Sequence, residues 1–167
     1  MINSYTLVTT SIRETWGVSK DILFLGEWCC LYEDRNQLRG INYKVAKPYG
    51  ACNKSRADDY VYIQKIVDEI KRDLYSFLNE HHQVNQTDRY WNILIGHWIQ
   101  RYVATIFNRY STLKQAFDTY NISTSLVLEG VDEYSVAPKN TIDFIFLSND
   151  PFWNHVVYKK IINELGG

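Results

Sequence analysis

The sequence is short of proline, cysteine and net charge, and each shortage excludes a class of protein. Its 3 prolines are widely scattered, and no repeat or low-complexity linker interrupts the 167 residues, so we expect one domain spanning 1–167. The 3 cysteines form neither an even disulfide framework nor a zinc-binding CxxC pair. With 18 basic and 19 acidic residues, the chain lacks the basic surface that nucleic acids require.

Long apolar runs and the common cofactor motifs are also missing. No stretch approaches the roughly 20 apolar residues that a membrane helix needs, and residues 1–4 do not begin a signal peptide. We therefore expect a cytoplasmic protein without a transmembrane segment. The sequence contains no phosphate-binding glycine loop, nucleophile elbow or DxD pair, and so predicts no cofactor. The adjacent His81 and His82 point apart on a helix, so no metal site is predicted.

Aromatic residues are abundant at 15%, including 13 tyrosines and 5 tryptophans. Large rings with a polar tip suit ligand clefts as well as cores. Sugar-binding surfaces use such rings for stacking, but most of the rings in a small chain must serve packing.

The hydrophobic pattern mixes strands with long helices. Strands are predicted at residues 6–10, 22–25, 43–46 and 125–128, and the first two are apolar on both faces, as in a buried parallel sheet. An amphipathic helix is predicted at 60–77, a helix buried on most sides at 90–117, and a helix after the N-cap Asp150. Residues 141–148 fit either a strand or a short helix. Gly96 lies within the second long helix and marks either a close approach of another segment or a break in that helix. The fold class is therefore α/β, with a partial parallel sheet flanked by long helices.

Two loops that follow predicted strands contain candidate site residues. Ligands bind outside the carboxyl ends of the strands in open α/β sheets. Thr10 and Glu14 follow the first strand and could bind sugar hydroxyls, although an ordinary capped loop is an equal alternative. Glu27 follows the second strand and is a candidate general base, with Trp28 beside it as a stacking ring. The alternative is that Glu27 pairs with an arginine and Trp28 lies in the core.

Arg89 is the remaining candidate, because it lies near the predicted start of the second long helix. An arginine there could hold an anion. It could equally be a structural residue, which is the interpretation that the sequence favours. Cys29 has no lysine or histidine nearby in the sequence and is not predicted to be a nucleophile.

Several strings together resemble the opening of a family of bacterial transferases from O-antigen and surface-carbohydrate loci. They are TLVTT at 6–10, ETW at 14–16, LFLGEWCCLY at 23–32, RYWNILIGHW at 89–98, FNRY at 107–110 and FWNH at 152–155. They occur in colinear order over nearly the whole chain. The resemblance implies a glycosyltransferase-like protein with two facing α/β lobes (a GT-B-like fold), of which this chain would be an incomplete amino-terminal lobe. It also favours a helix at 141–148.

In such enzymes the carboxy-terminal lobe generally grips the nucleotide-sugar and the amino-terminal lobe presents the acceptor. The resemblance therefore implies a nucleotide-sugar donor and a glycan acceptor for the whole enzyme, and little activity for this lobe alone. The alternative is a non-catalytic module that binds a glycan or a protein. An exposed sheet edge would also permit a homodimer.

Overall fold

The computed structural model describes residues 4–17, 21–50, 53–130 and 137–166. The chain divides into two compact units. The first comprises residues 1–49 and 109–167, and the second comprises residues 50–108.

The first unit contains a parallel sheet of four strands in the order β3-β2-β1-β4. The strands are β1 (Tyr5–Val8), β2 (Asp21–Phe24), β3 (Asn42–Val45) and β4 (Ile122–Ser125). All three strand pairs are parallel. The predicted α/β class and the positions of the first three strands are therefore confirmed to within one or two residues. The two central strands are almost completely buried, whereas every residue of β3, at an edge of the sheet, is exposed.

The fourth strand was predicted at 125–128, and this position is wrong. The strand that pairs with β1 begins at Ile122 and ends at Ser125, whose hydroxyl also donates to the Leu7 carbonyl oxygen at 3.2 Å. Leu126 and Val127 lie beyond the strand and are exposed. The apolar run therefore did not mark the strand, because an edge strand is selected by backbone pairing more than by burial.

The described part of the first unit also contains three helical segments. The relevant elements are residues 109–119 of α3 (His97–Thr119), α4 (Thr141–Leu147) and α5 (Pro151–Gly166). Leu113 and Ala116 from α3 and Tyr158 from α5 join the buried side chains of β1 and β2 in one core.

The starts of α4 and α5 follow from side-chain caps. The Asp143 backbone N–H donates to the Asn140 side-chain oxygen at 2.9 Å, which begins α4. The Trp153 backbone N–H donates to Asp150 Oδ1 at 2.9 Å, which confirms Asp150 as the N-cap of α5. Residues 141–147 therefore form a helix rather than a strand.

The second unit is helical. It contains α1 (Asn53–His81), α2 (Asp88–Trp91), a π-helical turn (Asn92–Gly96) and the first part of α3. Thr87 caps α2 by accepting from the Tyr90 backbone N–H at 3.3 Å. The core of this unit is built around Val67, Tyr75, Trp91 and Ile99.

The prediction that residues 90–117 are buried on most sides is wrong at the start of that range. The side chains of Ile93 and Leu94 are 72% and 56% exposed. Both residues lie in the π-helical turn, where the wider backbone changes the direction of successive side chains. Gly96 ends this turn at a close approach, because a Cβ atom there would collide with the Asn92 side chain and lie 3.3 Å from the Tyr75 hydroxyl. No helix in the described ranges is long and apolar enough to cross a bilayer.

Candidate functional site

The loops that follow β1, β2 and β3 leave the sheet at the same edge. Backbone hydrogen bonds extend the pairing beyond the strands, from Leu25 N–H to the Val8 carbonyl at 2.9 Å and from Ala46 N–H to the Phe24 carbonyl at 2.8 Å. Parallel strands end together at such an edge, which is where open α/β sheets bind their ligands. We call the loops of residues 9–17 and 25–38 the strand-end site.

Trp28 is seated on the backbone of this site. It lies in a short 3-10 turn, Glu27–Cys29, that begins after the extended residue Gly26. The indole ring covers Gly26 so closely that a Cβ atom there would collide with it. Its Nε1–H donates to the Thr9 carbonyl oxygen at 3.0 Å, which ties the loop after β2 to the loop after β1. The ring is nevertheless 47% exposed, so Trp28 is fixed in position but is not a core residue.

Glu27 begins the same 3-10 turn and is exposed. Its carboxylate makes no ion pair or hydrogen bond with any residue that the structure describes. The alternative that Glu27 pairs with an arginine therefore finds no support among these residues. A free carboxylate at a strand end remains able to accept a proton from a ligand hydroxyl.

Thr10 and Glu14 lie in the loop after β1. The Thr10 side chain is buried, and its hydroxyl has no hydrogen-bond partner among the described residues. Buried hydroxyls are nearly always satisfied in folded proteins, so this one needs a partner from outside the described chain, such as water or a ligand. Glu14 is exposed in the 3-10 turn Arg13–Thr15.

Sequence reasoning missed Asp34, the most buried acid of the strand-end site. Asp34 has no exposed surface, and its carboxylate forms an ion pair with Nη2 of the half-exposed Arg13. It lies within the charged string Glu33-Asp34-Arg35, which has the composition of a solvated loop. A 3-10 turn over Tyr32–Asn36 directs this one carboxylate inward. The only available signal was the presence of Arg13 in the neighbouring loop.

Cys29 and Cys30 end the turn that contains Glu27. The Cys29 thiol is buried and lies 3.4 Å from the Val8 carbonyl oxygen. Burial raises the pKa of Cys29 to about 12. Burial, together with the nearby carboxylate of Asp34, raises the pKa of Cys30 to about 11. Neither thiol is therefore ionised at neutral pH, which agrees with the prediction that Cys29 is not a nucleophile.

We expect both thiols to react slowly with iodoacetamide at pH 8, because only the thiolate attacks and both pKa values lie well above this pH. The measurement is mass spectrometry of a Cys52→Ser variant, native and in denaturant. Labelling should become rapid on unfolding. Rapid labelling of Cys29 in the native protein would contradict the burial described here.

Arg89 belongs to the helical unit, whereas Thr10, Glu14, Glu27 and Trp28 belong to the unit that contains the sheet. Arg89 is exposed on α2 and lines a groove of about 410 Å³ within its own unit. No group of three or more potential metal ligands occurs among the residues that the structure describes.

Two of the strings behind the family resemblance meet in the first unit. Arg109 donates from Nε to the Asn154 side-chain oxygen at 2.8 Å and from Nη2 to the Ser148 carbonyl oxygen at 3.0 Å. Asn154 in turn donates to the Ser148 and Asp150 carbonyl oxygens at 3.0 Å and 2.8 Å. These residues fix α3, the end of α4 and the start of α5 to each other, so their contribution is to the fold.

The described part of the strand-end site therefore contains a carboxylate, a tryptophan ring held by a backbone hydrogen bond, and a buried hydroxyl without a described partner, at the edge where open α/β sheets bind ligands. Residues 5–167 match the model of a family described as LIC12162 family transferase. The chain therefore belongs to this family of transferases. No curated protein and no solved structure shows significant similarity to it.

Proposed function

We propose that this chain is the acceptor-side lobe of a glycosyltransferase that acts in bacterial surface-polysaccharide synthesis, including O-antigen. The proposal rests above all on one observation in a chain of a transferase family: the exposed carboxylate of Glu27 pairs with no described residue and lies next in the chain to Trp28, whose ring is held by a backbone hydrogen bond. In this proposal residues 1–167 form an incomplete amino-terminal lobe, and a second lobe holds the nucleotide-sugar. A cytoplasmic location is part of the proposal.

Glu27 acts as the base in the proposed reaction. Its carboxylate accepts the proton of an acceptor hydroxyl as that oxygen bonds to the anomeric carbon of the donor sugar. The bond from this carbon to the diphosphate breaks in the same step, and the diphosphate leaves with its negative charge.

Thr10, Glu14, Trp28 and Arg89 bind substrate in this proposal. Trp28 provides an apolar ring on which the sugar can stack. Hydrogen-bonding groups alone do not provide such a surface. The buried hydroxyl of Thr10 gains its missing partner from the ligand. The negatively charged diphosphate requires cationic or dipolar groups, which this proposal assigns to the second lobe.

The test compares the isolated chain with an enzyme in which it is joined to such a second lobe. Transfer of radiolabelled sugar from a panel of nucleotide-sugars to glycan acceptors is measured for both. We expect transfer by the two-lobed enzyme and little or none by the isolated chain, because half a cleft cannot orient two substrates. Efficient transfer by the isolated chain would contradict its role as one lobe. Glycan binding without turnover in both proteins would instead favour the non-catalytic module.

A further inference from the structure

The helical unit contains a groove with its own chemistry. The groove has a volume of about 410 Å³, within the range of about 300–1,000 Å³ that small-molecule sites occupy. Its charged lining comprises Asp68, Lys71 and Arg72 from α1 and Asp88 and Arg89 from α2.

Two polar residues that line this groove, Tyr75 and Asn92, are hydrogen-bonded to each other. Tyr75 is almost completely buried, and its hydroxyl donates to the Asn92 side-chain oxygen at 3.2 Å. The absence of a side chain at Gly96 allows Asn92 to occupy this position, because a Cβ atom there would collide with it. Tyr75 and Asn92, which both line the groove, are therefore held in one arrangement before a ligand binds, which lowers the entropic cost of binding.

The three cationic side chains of the groove lack ion-pair partners in the part of the chain that the structure describes. Lys71, Arg72 and Arg89 make no ion pair or hydrogen bond with any residue in the described ranges. Three cations and two carboxylates leave an excess of one positive charge in the groove. This excess positive charge favours an anion over a cation as the ligand. The guanidinium forks of Arg72 and Arg89 suit the planar edge of a phosphate or carboxylate group.

We propose that this groove binds a sugar with a phosphate or carboxylate group, with Arg72 and Arg89 on the anion and Asp68 and Asp88 accepting sugar hydroxyls. Carboxylates at the rim would repel a bare anion, but they accept hydrogen bonds from a hydroxylated one. The assignment of this sugar as an acceptor rests on the proposed function, whereas its binding does not.

The test is isothermal titration of the 167-residue chain with glucose 1-phosphate, glucuronate, glucose and inorganic phosphate. We expect glucose 1-phosphate or glucuronate to bind more tightly than both glucose and inorganic phosphate, and the preferred anion distinguishes the two sources of charge. Arg72→Gln and Arg89→Gln should each weaken that binding by about tenfold, because each removes a charge-assisted hydrogen bond. Binding should also weaken as salt is added.

Arg101→Gln is the matched control, because Arg101 is an exposed arginine of the same unit that bonds His97 Nε2 at 2.8 Å and does not line the groove. The Arg101→Gln variant should bind the anionic sugar with the same affinity as the wild type. Failure of both glucose 1-phosphate and glucuronate to bind more tightly than glucose and inorganic phosphate, or unchanged affinity in both arginine variants, would overturn the proposal. These outcomes are independent of Glu27, so a failure of the proposed transfer chemistry is recognised separately.

Discussion

Replacing Glu27 with glutamine is expected to reduce sugar transfer by the two-lobed enzyme by about 10²- to 10⁴-fold, the usual contribution of a general base. Glutamine preserves the size of the side chain and its ability to hydrogen-bond, but it cannot accept the proton. Because Glu27 is exposed and its carboxylate forms no ion pair or hydrogen bond with a described residue, the stability of the fold should not change. The measurement is kcat at saturating donor and acceptor, together with a thermal melt.

The matched control for this variant is Glu33→Gln. Glu33 is also an exposed glutamate in a 3-10 turn, Tyr32–Asn36, of the same loop region. Its loss should leave transfer within about twofold of the wild type, the range of an ordinary surface substitution. Equal activity of the Glu27 and Glu33 variants would show that Glu27 is not the base.

The second large effect concerns stability. We expect Arg13→Ala to lower the free energy of unfolding by about 2 kcal/mol, less than the 3–5 kcal/mol for a fully buried ion pair because Arg13 is half exposed. The physical reason is that the variant leaves the carboxylate of Asp34 in the interior with no opposite charge. Urea denaturation followed by tryptophan fluorescence measures this loss.

A double-mutant cycle separates the buried charge from other effects of Arg13. Adding Asp34→Asn to Arg13→Ala removes the charge that has lost its partner, so the double variant should be more stable than Arg13→Ala alone. Arg35→Ala provides the control. This exposed arginine lies over the Tyr32 ring at 4.1 Å and donates from Nη1 to the Tyr32 carbonyl oxygen at 3.0 Å, so its removal should cost about 0.5–1 kcal/mol. If Arg13→Ala and Arg35→Ala are equally stable, the Arg13–Asp34 pair does not stabilise the fold.

The sequence was sufficient to predict those elements of the fold that depend on neighbouring residues alone. The apolar runs of β1 and β2 form strands that are almost completely buried, and Asp150 caps α5 by accepting from a nearby backbone N–H group. Burial and capping act over a few residues, so a single sequence contains the information needed. The ends of β1 and β2 then located the loops in which Glu27 and Trp28 occur.

Features that depend on distant partners were not predictable. The fourth strand is defined by pairing of Ile122 with Tyr5, 117 positions away, and not by its own hydrophobicity. The burial of Asp34 depends on Arg13 in another loop. The hydrogen bond from Trp28 to the Thr9 carbonyl likewise joins two loops, so the sequence could offer only the alternatives of core and stacking ring.

The π-helical turn Asn92–Gly96 also shifts the angular positions of the side chains that follow it around the helix axis. A π-turn accommodates one residue more than the α-helical turn it replaces, and each residue of an α-helix advances about 100° around the axis. Side chains before Asn92 and after Gly96 therefore cannot be placed on one helical wheel. In consequence, deletion of a single residue from this turn would restore the regular α-helical phase and rotate the side chains at the start of α3 by about 100° relative to those of α2.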